Sequence, residues 1–380
     1  MRRTIFAAVV ALLCSMSIGF AHQAVSAGPY TVIKQARVGG EGGWDYIYAD
    51  VGDRRLFIPR GASREIPATE TTPAVPAAGA RIMAYDLDTL VPIGEIADTG
   101  GNGATVCPKS GRGFASSHPS LSMFDPKKLT LIRKIDVPEG FGADGIYCDA
   151  SNDRAYVFSH PTRNALVLNG TDGAVLGTID LGGTPEQGVA DGKGTLYVVM
   201  QAESNVAVVD EKSMKTTAHY DFSAKGGRCN GLALDAKNGV LFVACGASSM
   251  TPAQGQPAQP TMVIMSAKDG KILTTLPLPG GSDGAQFNPA TMEAFATLGN
   301  GHLVVVKETS PTTFELEQDL ETMNGARTIT LDTKTGRLFT MAQMFGPPPP
   351  PSANPPAGAG GRGGRGPAVP GSFTILMIGR

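Results

Sequence analysis

A seven-bladed β-propeller is the fold this sequence predicts, on three observations. A two-strand frame recurs seven times, four of the six spacings between copies fall at 42–44 residues, and a strand at the front of the chain resembles the one missing at its end. Self-similarity at that period is the mark of a four-stranded propeller blade. With 49 Gly and 28 Pro among 380 residues, the composition also favours an all-β array over the two domains that length alone would suggest.

The frame is clearest in GLALDAKNGVLFVA (231–244) and GIYCDASNDRAYVF (145–158). Each has a glycine, a short strand, Asp four residues after the glycine, a polar turn, and a second strand ten residues after the glycine. The same frame starts at Tyr46, Gly103, Gly284 and Thr328, and a copy with a shorter turn starts at Gly188. Third strands such as NVAVVD (205–210), ALVLN (165–169) and TMVIMS (261–266) follow. Fourth strands such as LTLIRKIDV (129–137) and AVLGTIDL (174–181) then end each copy in Gly or Pro. Alternation of period two predicts two distinct faces for these strands.

The last copy reaches a third strand at 373–378 and has no fourth. TVIKQARVGG (31–40) matches AVLGTIDLGG (174–183) in pattern. The N-terminal strand is therefore expected to close the last blade, which removes the open sheet edges of an unclosed array. Residues 28–380 are expected to form one domain.

Blades such as LYVVMQAESNVAVVDEKSMK and AYVFSHPTRNALVLNGTDGAVLGTID resemble those of the YVTN-repeat, YncE-like bacterial β-propellers, over essentially the whole mature chain. The sequence departs from the pattern in lacking a literal YVTN tetrapeptide and in carrying insertions. The resemblance implies a seven-bladed ring and an exported binding or scaffold module; it implies no catalytic residues.

The insertions are 61–80, 246–260 and 346–371, all between the second and third strands of blades 1, 5 and 7. That connection shares a face of the disc with the start of each innermost strand. Their Pro, Gly and small-residue content predicts mobile loops, either decorating the surface or forming a rim around a site. The GRGGRG tract (361–366) reads as a flexible spacer.

The residue before each frame opens the innermost strand and is expected at the channel mouth. In order these are Asp45, Asn102, Asp144, Gln187, Asn230, Asp283 and Arg327. Ring closure places Arg327 between Asp283 and Asp45, an Asp–Arg–Asp cluster open to bidentate contacts. Trp44, the sole tryptophan, adjoins Asp45, and Glu186 and Arg228 flank the same mouth. Three readings of the ring stand. Asp or Asn before Gly is ordinary turn chemistry. The cluster is alternatively a polar anchor for a small molecule or peptide, with Trp44 as a stacking surface. The third is a hard cation, since Asp and Asn oxygens suit Ca²⁺; this resembles the axial calcium of regucalcin-like lactonase propellers, although Arg327 would repel a cation. No other cofactor is expected.

Cys107, Cys148, Cys229 and Cys245 remain after the leader takes Cys14. Cys229 and Cys245 sit at the paired ends of one hairpin, and Cys107 and Cys148 occupy neighbouring frame positions of opposite parity in adjacent blades. Both pairs are candidate disulfides, as suits an exported protein. His118 and His160 precede Pro at one frame position in blades 2 and 3 and read more simply as repeated turn residues than as paired ligands. There is no GxSxG, HExxH, phosphate-loop or CxxCH motif, so no catalytic set is assembled.

The N-terminus reads as a signal peptide of residues 1–27: Arg2 and Arg3, an apolar run to Ala21, then Val25-Ser26-Ala27 at the cleavage site. An uncleaved anchor is the alternative. No other stretch is long and apolar enough to span a bilayer. Removing the leader takes two arginines, leaving 30 of the 32 basic residues against 34 acidic ones. That balance argues against nucleic acid as a partner. The expectation is a periplasmic or secreted module that binds a small molecule, peptide or protein through the loop-bearing face. A calcium-dependent lactonase or other hydrolase at the channel mouth is the alternative.

Overall fold

Short β-branched and aromatic runs separated by Gly, Asn and Asp turns build strands and little else. The computed structural model describes residues 27–68, 74–117, 119–246, 259–347 and 366–380, and no helix occurs among them. Residues 1–26, which hold most of the expected leader, together with His118 and the tips of the three insertions, lie outside the described residues.

Among the described residues, twenty-eight strands form seven four-stranded antiparallel sheets. The innermost strands are Tyr48–Asp50, Gly103–Cys107, Ala143–Asp149, Pro185–Ala190, Cys229–Asp235, Ser282–Asn288 and Ile329–Asp332. In blades 1 to 6 the four strands follow in chain order from the axis outward. Blade 7 runs Ile329–Asp332, Arg337–Ala342, Thr374–Gly379, and is completed by Thr31–Arg37 from the other end of the chain. Gln35 pairs with Leu376 and Arg37 with Thr374 in that closure. The three insertions lie between second and third strands, as the repeat predicts.

The expected two-faced alternation holds only at the rim. The outer strand Lys215–Asp221 alternates exposed and half-buried, whereas Val240–Cys245 is buried at every position. The reason is that each blade is packed on both faces by its neighbours, so a middle strand has no solvent side. Tyr156, Phe158 and Val167 of blade 3 thus form one cluster with Leu196, Val198 and Val209 of blade 4.

The frame glycine has a steric cause. A Cβ at Gly231 would lie 2.9 Å from the backbone nitrogen of Ala285 on the next innermost strand, and one at Gly145 would lie 3.2 Å from the Glu186 carbonyl. Innermost strands converge on the axis, and only glycine lets their backbones approach this closely.

Tyr30, just before the closing strand, and Arg380 are both fastened to blade 6. Tyr30 donates its backbone N–H to Gln318 Oε1 (2.9 Å), and its carbonyl accepts from Gln318 Nε2 (2.8 Å). Its ring meets Phe295 edge-on at 5.3 Å. The Arg380 guanidinium reaches buried Glu293 and lies 5.1 Å from the Tyr30 ring centroid. Two disulfides, Cys107–Cys148 and Cys229–Cys245, add covalent closure between blades 2 and 3 and within blade 5.

Candidate functional site at the channel mouth

The predicted ring residues do gather at one end of the axis, and side chains from the ends of second strands complete them. Asn102 Nδ2 donates to Asp144 Oδ1 (3.1 Å). His160 Nε2 stands 3.0 Å from Asp144 Oδ2 and 3.4 Å from Glu186 Oε1. Gln201 Nε2 donates to both Glu186 Oε1 and Asn230 Oδ1. Asn230 Nδ2 then donates to Asp283 Oδ1. Arg327 follows, with Nη1 3.2 Å from Asp283 Oδ2 and Nη2 3.9 Å from Asp45 Oδ2. A polar chain therefore runs around the mouth from Asn102 to Asp45, touching every blade.

The Asp–Arg–Asp cluster forms as expected, but each carboxylate meets a different guanidinium nitrogen rather than a bidentate fork, because Nη2 also donates to the Trp44 carbonyl (3.2 Å). Trp44 itself is not a stacking surface. Its ring is 8 % exposed and packs edge-on against Phe373 at 4.9 Å, with buried Arg60 over the Phe373 face. An indole this large fills the gap between blades 7 and 1 better than it serves a polar mouth. Arg228 is exposed, and its carbonyl accepts from Gly246 N–H.

Gln187 is a structural pin. Its Oε1 accepts from the backbone N–H of Leu232 and of Ala285, both at 3.1 Å, and its Nε2 donates to the Ala285 carbonyl at 2.9 Å. The same device recurs deeper in the channel. Tyr48 donates to the Val106 carbonyl, Gln286 to the Ile329 carbonyl, and Thr330 Oγ1 accepts from Ala49 N–H. Polar side chains on innermost strands thus saturate the backbone of the following blade.

Charge at the mouth is desolvated. Burial, then the nearby Asp283 carboxylate, pushes Asp45 well above the usual carboxylate range, and Arg327 offsets this only in part. Burial also raises Glu186 against the lowering pull of His160. The Asp144 and Glu186 carboxylates beside it push the His160 imidazole up to about 10. Burial opposes charge on Arg327, yet Asp283 and Asp45 outweigh it and raise its pKa. Burial and Glu186 together raise the Tyr46 phenol, which donates to Glu186 Oε2 at 2.7 Å.

Beneath the ring lies a cavity of about 630 Å³, walled by Tyr46, Tyr48, Thr105, Tyr147, Gln286 and Thr330. It extends to turns at the opposite end of the axis, where it is lined by Gly52, Asp53, Gly111, Lys127 and Thr333. The candidate site is therefore the ring plus the channel below it.

His160, Gln201 and Tyr46 were not among the predicted site residues. Ala143 pairs with Ser159 and Pro185 with Met200, so the residue after each second strand sits beside the opening of the first. Reading that frame position for blades 3 and 4 yields His160 and Gln201. His160 does sit in the turn after its second strand, and that turn also sets its ring between two carboxylates. His118 lies outside the described residues.

The sequence matches no family model and no curated protein. Among solved structures the chain is similar to the WD40 domain of Pan2 from Neurospora crassa (10 % identity, TM-score 0.64, covering 94 % of this chain and 97 % of that one). It is also similar to the WD40 repeats of RRP9 (9 %, 0.66, 94 % and 99 %) and to U3-55K (9 %, 0.65, 92 % and 99 %). At such identities these likenesses establish the propeller fold.

Proposed function

We propose that this chain is an exported propeller that binds a small polar ligand at the channel mouth. The observation that carries the reading is the concentration of charge there: four carboxylates (Asp45, Asp144, Glu186, Asp283) around one guanidinium and one imidazole, above a cavity of ligand size. Folding alone does not call for such a set, because burying charge costs free energy that apolar residues would not. Desolvated, mutually perturbed groups over a pocket are the usual setting of a binding site.

Carboxyl oxygens supply most of the acceptors at the mouth, which favours ligands that donate hydrogen bonds, through an amine or several hydroxyls, over anions. Export is supported by the leader-like N-terminus and by two disulfides, which persist in oxidising compartments. The resemblance of the repeats to YVTN-type blades points the same way.

The test is a thermal-shift screen of amino acids, amines, short peptides and sugars on the mature chain, repeated on Arg327→Ala and Asp283→Ala. A ligand that stabilises the wild type by several degrees and fails to stabilise either variant supports the reading. Hits unaffected by both substitutions place binding elsewhere and overturn it.

A protein partner at the same face is the second reading, favoured by the three long insertions that share it. Loss of partner capture on deleting 346–371, with small-molecule shifts unchanged, would select it.

A further inference from the structure

The geometry points to a divalent transition-metal site formed by Asp144, His160 and Glu186, within the channel mouth. This rests on reading the mouth as a binding site and names part of what it binds.

One ligand atom from each of these three residues lies within 4.8 Å of the others. They come from the innermost strand of blade 3, the turn after its second strand, and the innermost strand of blade 4, so two sheets hold the carboxylates and the turn presents the imidazole to both. The 3.0 Å and 3.4 Å separations of His160 Nε2 from the two carboxylate oxygens have a geometric meaning. With metal–ligand bonds of roughly 2.1 Å, donors on adjacent corners of an octahedron or tetrahedron stand roughly 3.0–3.4 Å apart. The two edges that meet at His160 Nε2 already have the lengths of a coordination polyhedron, and the third is under 4.8 Å.

A second observation separates this from a simple ion pair. His160 Nε2 is sealed from solvent, yet neither oxygen lies in hydrogen-bonding geometry to it. The nitrogen stands between two carboxylates without donating to either. A divalent ion placed between them satisfies all three donors at once.

The surroundings orient the ligands as metal sites require. Asn102 ties Asp144 Oδ1 and leaves Oδ2 toward His160. Tyr46 ties Glu186 Oε2, Gln201 contacts Oε1, and Glu186 is 5 % exposed. An imidazole with two carboxylates suits Zn²⁺, Mn²⁺, Fe²⁺ or Co²⁺, whereas Ca²⁺ takes six to eight oxygens. Calcium, the third reading of the ring, fits these three donors less well than a transition ion does. Three protein donors leave positions for water or for an oxygen of the mouth's ligand.

The test uses the mature chain stripped with EDTA, freed of chelator and titrated with Zn²⁺ alone by calorimetry, with Co²⁺ absorption as a second readout. The expected result is one ion per chain and a visible cobalt band, with affinity falling by about 50-fold or more in His160→Ala and about 10-fold in Glu186→Gln. Circular dichroism establishes that each variant is folded, and His160→Asn replaces His160→Ala should the latter not fold. Absence of one-to-one binding overturns the proposal, as does binding of equal strength in the folded His160 variants. The ligand screen run on zinc-free protein keeps the two claims apart. Ligand shifts without zinc binding remove the metal site alone, and zinc binding without any ligand removes the broader reading alone.

Discussion

The Tyr30 hydroxyl donates to Glu293 Oε2 at 2.5 Å, joining the residue just before the closing strand Thr31–Arg37 to the second strand of blade 6, 263 residues later. Burial and this carboxylate push the phenol up to about 12, so it remains a donor at every working pH. Arg380 and Lys307 approach the other oxygen of the same fully buried Glu293. One carboxylate therefore gathers Tyr30 and Arg380, which flank the two strands that close blade 7.

Glu293→Ala should destabilise the protein by about 3 kcal/mol, because it strands a buried hydroxyl and a guanidinium together. Tyr30→Phe, which leaves Arg380 on Glu293, should cost about 1 kcal/mol. Urea unfolding of the two variants gives the comparison. Equal, negligible losses would mean that closure rests on the strand pairing of Thr31–Arg37 alone.

The fold was legible because the repeat carries it. Glycine, Asp and strand recur at a fixed period, and each recurrence has a local cause: close backbone approach at Gly231, and a turn closed by Asp235 Oδ1 accepting from Lys237 N–H. The mouth was legible in part, since the same frame locates Asp45, Asp144, Asp283 and Arg327. Trp44 was misread because adjacency to Asp45 says nothing of side-chain direction, and the strand opening turns its ring into the core. His160 and Gln201 escaped because they belong to the neighbouring strand, and only the antiparallel register brings them to the ring.

Disulfide reduction provides a second expectation. The Cys107–Cys148 bridge closes a separation of 41 residues and Cys229–Cys245 one of 16. Loop-closure entropy gives about 4 and about 3 kcal/mol respectively as upper values. Cys107→Ala/Cys148→Ala should therefore lower the melting temperature more than the 229/245 pair of substitutions. The reverse order would show that strain or residual structure outweighs chain entropy here. Thiol titration of the denatured, unreduced mature chain should find no free cysteine.

Stability should fall as pH rises through neutrality, through two buried glutamates. Burial, then Asp149, pushes Glu211 from 4.5 up to about 7. Burial likewise raises Glu308 to about 7, with Asp235 adding to it against the Asn238 hydrogen bond. Both are at most 3 % exposed. Between pH 4.5 and 7 each is protonated when folded and ionised when unfolded, so folding takes up a proton. Their contribution is complete below 4.5 and is lost as pH passes 7. A shift of this size caps the effect at about 3 kcal/mol, and relaxation around the carboxylate brings it to about 1–2 kcal/mol per site. Glu211→Gln and Glu308→Gln should each stabilise the chain at pH 8 relative to wild type and flatten its profile. Parallel pH profiles for variant and wild type would refute the assignment.

Gly231→Ala should cost more than about 3 kcal/mol, since its Cβ would press on the backbone of Ala285 and Gly284 rather than on a movable side chain. Gly43→Ala meets nothing within 4 Å and should be near neutral. If both behaved alike, innermost-strand convergence would not be what fixes the frame glycine.

The ring finally separates into pins and binding groups by how each side chain is spent. Gln187 gives its carbonyl oxygen and its amide to the backbone of Leu232 and Ala285, leaving little for a ligand. Gln187→Ala should leave two N–H groups and a carbonyl unmatched and cost about 2–3 kcal/mol. Ligand affinity, measured below the lowered melting temperature, should change less than about twofold. Arg327→Ala should do the opposite. It removes a mostly buried guanidinium that balances Asp283 and Asp45, so a loss of about 1–2 kcal/mol is expected, while ligand binding falls at least about tenfold. The pair of measurements decides between a ring that only holds the blades and one that also holds a ligand. Were Arg327→Ala to melt the protein and Gln187→Ala to spoil binding, the division of roles would have to be reversed.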